Sequence, residues 1–107
     1  MGMWGYDPWD NDEAADWFGD LFETTKLRDR WLDGIQADPE DDGETVRAAA
    51  FVFIQFGRVY VWPQATLDAD RATTIAALMS IRNSDRFSEA PELVETIDRE
   101  IAALQTR

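Results

Sequence analysis

Acidic side chains are the residues of this chain whose types and spacing could do chemistry. Asp7, Asp10 and Asp12 stand close together near the N-terminus, and carboxylate oxygens are the ligands that Ca²⁺ and Mg²⁺ prefer. These three residues are weak candidates for a metal site, so a carboxylate-only enzyme dependent on a divalent metal is one hypothesis. An EF-hand loop does not fit: one that begins at Asp10 lacks both the required glycine and the required glutamate, and one that begins at Asp12 has Trp17 in place of the glycine, although Glu23 stands at the glutamate position.

The chain lacks the side chains that most enzymes use near neutral pH. It has no histidine and no cysteine, which removes the commonest general base, thiol catalysis, disulfides and thiolate metal sites. Most of the acidic residues fall on predicted solvent-facing positions, where no burial favours the protonated form that a general acid needs. We therefore expect a protein that is not an enzyme and that carries no cofactor.

A regular row of carboxylates gives a sharper hypothesis. The row, called the acidic row below, consists of Asp12, Asp16, Asp20 and Glu23. Steps of three and four residues place the row on one face of a helix, since an α-helix has 3.6 residues per turn. The apolar residues fall on another sector: Ala14, Trp17, Phe18, Leu21 and Phe22.

An exposed line of negative charge attracts basic protein surfaces and accelerates their encounter. We therefore predict a non-catalytic acidic binding protein that engages a basic protein partner through the acidic row. An immunity-like or inhibitor-like role is one version of this hypothesis. Solubility alone is the competing explanation of the same residues.

Aromatic residues are numerous for a chain of this size. We expect most of them to fill the core, because each can bury a large apolar area; this group comprises Trp4, Tyr6, Trp9, Trp17 and Trp31. Turns flank Trp9 and Trp62, so these two are expected to be the most exposed. Both are therefore candidate partner-binding residues.

The elements that position these residues follow from hydrophobic periodicity. The 107 residues are 45% hydrophobic, which predicts a single globular domain over 1–107. Five helices are predicted: from Asn11 or Asp12, about Thr25 to Ile35, Glu44 to Phe56, Asp68 to about Arg82, and from Pro91 onward. The predicted fold is therefore an all-α bundle.

Three details of these helices have structural consequences. In the fourth helix, the apolar positions that share one side are Ala69, Ala72, Ile75, Ala76 and Met79. Gly19 interrupts the first helix at a cost of about 1 kcal/mol relative to alanine, which close approach of another backbone would explain. Residues 51–62 also fit a β-hairpin with Gly57 in its turn, so an α+β fold with one hairpin remains the alternative.

Charge limits the partners further. The chain has 22 acidic and 10 basic residues and a net charge of −12; residues 1–56, with 14 acidic and 4 basic residues, account for −10 of it. Such a chain is repelled by nucleic acid phosphates and anionic lipid. It shows no secretory signal and no apolar run long enough to span a bilayer. We therefore expect a cytoplasmic protein without direct nucleic acid or membrane binding.

A third hypothesis is a structural or oligomer-forming role. The fifth helix carries an apolar stripe, and Val59–Trp62 is a short apolar segment, so either could form a contact with another chain. The sequence leaves the oligomeric state open.

Three features near the N-terminus form a recognisable motif: Trp4-Gly5, Trp9-Asp10-Asn11-Asp12 and Ala14-Ala15-Asp16-Trp17. This order resembles the start of a bacterial family catalogued as domain of unknown function 4259. The alanine-rich segment Ala48–Ala50 leading to Gly57 is similar to the middle helix of that family, whereas Val59–Trp62 departs from it. The resemblance implies a small helical bacterial protein, and it brings no activity, cofactor or catalytic residue.

Overall fold

The computed structural model describes residues 5–107, which form five α-helices. The helices are α1 (Asp12–Thr25), α2 (Leu27–Ile35), α3 (Gly43–Phe56), α4 (Leu67–Arg82) and α5 (Pro91–Gln105), and one turn of 3-10 helix, Gln64–Thr66, precedes α4. No strand occurs in this range, so the all-α prediction is confirmed and the alternative hairpin at 51–62 is wrong. Trp4 of the aromatic group lies outside the described residues.

Residues 51–56 are helical because they continue a buried face. Val46, Ala50 and Phe53 bury one side of α3, which packs between α2 and α4. The helix ends at Gly57, whose backbone N–H donates to the carbonyl of Phe53 at 2.6 Å. A Cβ on Gly57 would lie 2.5 Å from the same carbonyl oxygen. This close approach accounts for the glycine, since its φ of −79° is ordinary.

Four aromatic rings form the centre of the core. The ring of Trp62 meets those of Phe22, Trp31 and Phe53 edge to face, at centroid distances of 5.2, 4.9 and 4.9 Å. The indole N–H of Trp31 donates to the Ala49 carbonyl at 2.9 Å, which confirms Trp31 as a core residue. Trp62 is only 2% exposed, so its predicted exposure is wrong. The turns beside Trp62 point its ring inward, where α1, α2 and α3 enclose it.

A buried carboxylate holds this cluster to two other elements. Asp70, in the first turn of α4, is 2% exposed. It accepts two hydrogen bonds from the Arg28 guanidinium, at 2.9 and 2.8 Å, and one from the indole N–H of Trp62 at 2.8 Å. Burial on its own would raise the pKa of the Asp70 carboxyl, but the hydrogen bonds from Arg28 and Trp62, with the charge of Arg28, lower it below its ordinary value.

This network decides which side of α4 is buried. The buried positions of α4 are Leu67, Asp70, Thr74, Leu78 and Ile81. The side that carries the alanines and Met79 faces mainly solvent, contrary to the grouping that hydrophobicity suggests. Asp70 can lie inside because its oxygens are satisfied by Arg28 and Trp62, and the Thr74 hydroxyl donates to the Asp70 carbonyl at 2.8 Å.

The first helix lies at the margin of the bundle. Its main helical neighbour is α2, and Phe22 is its only buried residue. Lys26, with a φ of 55°, is the single residue between α1 and α2 and turns the chain in the left-handed conformation. Because only the strip around Phe22 is covered, α1 presents most of its circumference to solvent.

Replacement of the helix-ending glycine tests the account of α3. Gly57→Ala forces a methyl group against the Phe53 carbonyl and ring, and we expect the free energy of unfolding to fall by about 2 kcal/mol. Urea denaturation followed by circular dichroism measures the change. Stability equal to that of wild type would show that the close approach at Gly57 is unimportant.

Acid sensitivity tests the buried carboxylate. The pKa of Asp70 is lower in the folded chain, so its ion pair contributes stability that is complete above about pH 3.9, the ordinary value for aspartate, and is lost as the pH falls through the lower folded value. We expect Asp70→Asn to reduce the free energy of unfolding at pH 7 by about 2 kcal/mol. The variant should also flatten the decline below about pH 4.

The matched control is Asp68→Asn, which removes the same charge from a side chain that is 93% exposed and pairs with Arg71. Exposed ion pairs contribute little, so this variant should keep the stability and the acid profile of wild type. Urea denaturation between pH 2 and pH 7 compares the three proteins. Equal acid profiles for Asp70→Asn and wild type would contradict the role given to Asp70.

Candidate partner-binding surface on the first helix

The acidic row lies on α1, and capping explains where that helix begins. The Asn11 side chain accepts a hydrogen bond from the backbone N–H of Ala14 at 2.8 Å, which caps the helix N-terminus. Asp12 and Glu13 then occupy the first turn, where negative charge complements the helix dipole. All four side chains of the acidic row are exposed.

Arginine side chains neutralise acidic residues elsewhere in the bundle but not on α1. Within residues 5–107 the ion pairs are Arg28–Asp70, Arg47–Glu100, Arg71–Asp68, Arg82–Asp98, Arg86–Glu44 and Arg99–Glu95. None of these pairs includes a member of the acidic row. Since α1 contains five acidic and no basic residues, its solvent face carries negative charge without internal compensation, as does the loop at 38–42 between α2 and α3.

An exposed tryptophan borders the acidic row. Trp17 is 61% exposed, and its ring meets that of Phe18 edge to face at 5.4 Å. Glu13 and Asp20 are its neighbours at i−4 and i+3 on the helix surface. The expectation that Trp17 fills the core is wrong, because α1 buries only a narrow strip around Phe22 and Trp17 lies at the edge of the apolar sector. Phe22 lies at the opposite edge of this sector and is buried, so periodicity alone did not identify which edge faces solvent.

The two tryptophans that were predicted to bind a partner, Trp9 and Trp62, are not part of this surface. Trp9 is half-buried, and the guanidinium carbon of Arg58 lies 4.5 Å from the centre of its ring, so the ring is partly covered by a cation–π contact. Trp62 belongs to the core. Tyr6, expected in the core, is 98% exposed. The structure thus brings together the four carboxylates with Trp17, not with Trp9 and Trp62.

A groove runs along the other side of the acidic row. Its volume is about 580 Å³, and it separates α1 from the segment that follows α3. Ala15, Gly19, Phe22 and Glu23 form the α1 wall, and residues 59–64 form the opposite wall. Tyr60 in the opposite wall is half-exposed and has a φ of 70°, a left-handed conformation that is unusual for a bulky residue.

A second groove of about 510 Å³ lies between α2 and α3 and also reaches the end of α1. Its walls include Leu27, Gly34, Ala48 and Phe56, and no acidic side chain lines it. Of these two grooves, the one beside the acidic row combines an apolar wall with negative charge.

The weak metal candidates are not gathered into a site. A side-chain oxygen of Asp10 accepts a hydrogen bond from the backbone N–H of Asp7 at 3.3 Å, which is a local turn contact. Within residues 5–107 no three acidic side chains are placed so that they could hold a metal ion. Asp12 instead takes part in the acidic row.

The fold and this surface define a small all-α protein with an exposed acidic helix. Residues 2–106 match the model of the family described as domain of unknown function DUF4259, so the chain belongs to that family. The predicted membership of this family is thereby confirmed. No curated protein and no solved structure matches the chain. None of the helices within residues 5–107 is both long and apolar enough to cross a bilayer.

Substitution of Gly19 tests whether the fold itself needs this glycine. A Cβ on Gly19 would meet no atom of the chain within 4 Å, and alanine favours a helix by about 1 kcal/mol over glycine. We therefore expect Gly19→Ala to raise the melting temperature by about 4 °C or more, measured by calorimetry. A lower melting temperature would indicate a contact at Gly19 that the structure does not contain.

Proposed function

We propose that this chain is a non-catalytic binding protein that engages a basic protein through the solvent face of α1. The observation that carries the proposal is the acidic row: four exposed carboxylates on one helix face, with no ion pair to an arginine of the described chain. Trp17 adds an exposed aromatic side chain beside this charge, and tryptophan is enriched among residues that dominate binding energy.

Electrostatics gives this surface a specific role. The row extends over about 17 Å of helix, since each residue adds about 1.5 Å, and the net charge of −12 reinforces its field. Such a field accelerates the encounter with a basic partner and excludes acidic ones. An immunity-like or inhibitor-like function toward a basic protein, in the cytoplasm, is the version that we favour.

The other two hypotheses have less support. The metal-dependent enzyme requires Asp7, Asp10 and Asp12 to act together, and these residues do not form a cluster suited to a metal ion. An oligomer built on α5 would have to use its apolar stripe, but Ile97, Ile101 and Leu104 are already buried against the rest of the bundle. The Val59–Trp62 segment contributes Val61 and Trp62 to the core.

Neutralisation of the acidic row tests the proposal. The variant Asp12→Asn/Asp16→Asn/Asp20→Asn reduces the net charge from −12 to −9 while keeping the shape of the side chains. We expect wild-type protein immobilised on beads to retain basic proteins from a cell lysate at low salt, and the variant to retain them about tenfold less. High salt should abolish the difference, because exposed charges are screened.

The matched control is Asp33→Asn/Asp41→Asn/Glu89→Gln, which makes the same charge change at exposed positions outside α1. It should retain basic proteins as wild type does. Equal recovery with the α1 variant and wild type, or equal losses in the two variants, would show that the acidic row is not a binding surface.

A further inference from the structure

Gly19 occupies the middle of α1 although the fold gives no reason for it. Glycine weakens a helix, and neither a positive φ nor a neighbouring atom within 4 Å calls for the missing side chain. The close backbone approach that the sequence suggested is absent from the described chain. A glycine in such a position permits another backbone to come close to the helix, and nothing among residues 5–107 makes use of that space.

The surroundings of Gly19 are apolar on one side and acidic on the other. Its neighbours at three and four residues' distance are Ala15 and Phe22, which line the groove, and Asp16 and Glu23, which belong to the acidic row. The groove and the acidic row therefore meet at Gly19, where the missing side chain leaves a gap in the surface of α1.

We propose that the partner presents a basic amphipathic helix, which crosses α1 at Gly19 and seats an apolar side chain in the groove between α1 and residues 59–64. This inference rests on the proposed function and names the part of the partner that is bound. The occupant follows from charge complementarity: an apolar wall that runs beside three turns of carboxylates complements a helix with one apolar and one basic side. The small residues Ala15 and Gly19 let that helix lie close to α1, and its basic residues meet Asp16 and Glu23.

A Leu–Lys peptide serves as the probe. An 18-residue peptide of leucine and lysine in an amphipathic helical order is titrated into the protein by calorimetry, together with an isomer of equal composition whose order is not amphipathic. Wild type should bind the amphipathic peptide at least about tenfold more tightly than the isomer. Backbone amides of Gly19 and of residues 59–64 should shift in the NMR spectrum when the amphipathic peptide is added.

A larger side chain at position 19 fills the gap in the surface of α1 and tests whether the partner helix crosses α1 there. We expect Gly19→Leu to lower the affinity for the amphipathic peptide at least about tenfold, because the leucine side chain occupies the space that the bound helix needs. Gly19→Ala should lower this affinity less. The matched control is Ala102→Leu, which adds the same side chain on an exposed face of α5, and this variant should bind as wild type does. Circular dichroism verifies that each variant is folded.

The outcomes separate this inference from the proposed function. If Gly19→Leu binds the amphipathic peptide as wild type does while neutralisation of the acidic row weakens binding, the helix-docking inference is wrong and the acidic surface stands. Equal affinity for the two peptide isomers also overturns the inference, since charge alone then accounts for binding. If neither Gly19→Leu nor the neutralised variant changes the affinity, the inference and the proposed function both fail.

Discussion

The carboxylate of Asp70 is the constraint on which the arrangement of the bundle depends. It is buried at the start of α4 and joins α2 through Arg28 and the segment after α3 through Trp62. A buried carboxylate without such partners would be strongly unfavourable, so the three elements must keep this relative position. The same contacts place Trp62 at the centre of the aromatic core, where Phe22 provides the buried attachment of α1.

The narrow buried strip of α1, in which Phe18 packs beside Phe22 against the core, accounts for the character of this helix. Because one strip of the helix is buried, the remaining surface can carry the acidic row, Trp17 and the gap at Gly19 without disturbing the core. Elsewhere in the described chain, some acidic residues are paired with arginines. The buried ion pair at Asp70 and the exposed carboxylates of the acidic row thus lie in different parts of the molecule.

Periodicity was sufficient to predict the helices, because a face buried by neighbouring helices repeats every three or four residues. The exposed acidic row could be predicted for the same reason. The competing hairpin at 51–62 could not be excluded from the sequence, since its β-prone residues satisfy both patterns. Burial of Phe53 between α2 and α4 favours the helix, and the chain after Gly57 turns back toward the core.

The sequence by itself determined the helical class, the helix order and the position of negative charge, because each of these follows from local spacing. Only the tertiary structure decided which tryptophan is exposed and which side of α4 is buried. Trp17 and Trp62 exchange their predicted environments. The side of α4 that is buried carries Asp70, whereas hydrophobicity predicted burial of the side that carries the alanines. The physical reason is that a polar group can be buried where distant residues supply its hydrogen bonds, and Arg28 is 42 positions away from Asp70 in the chain.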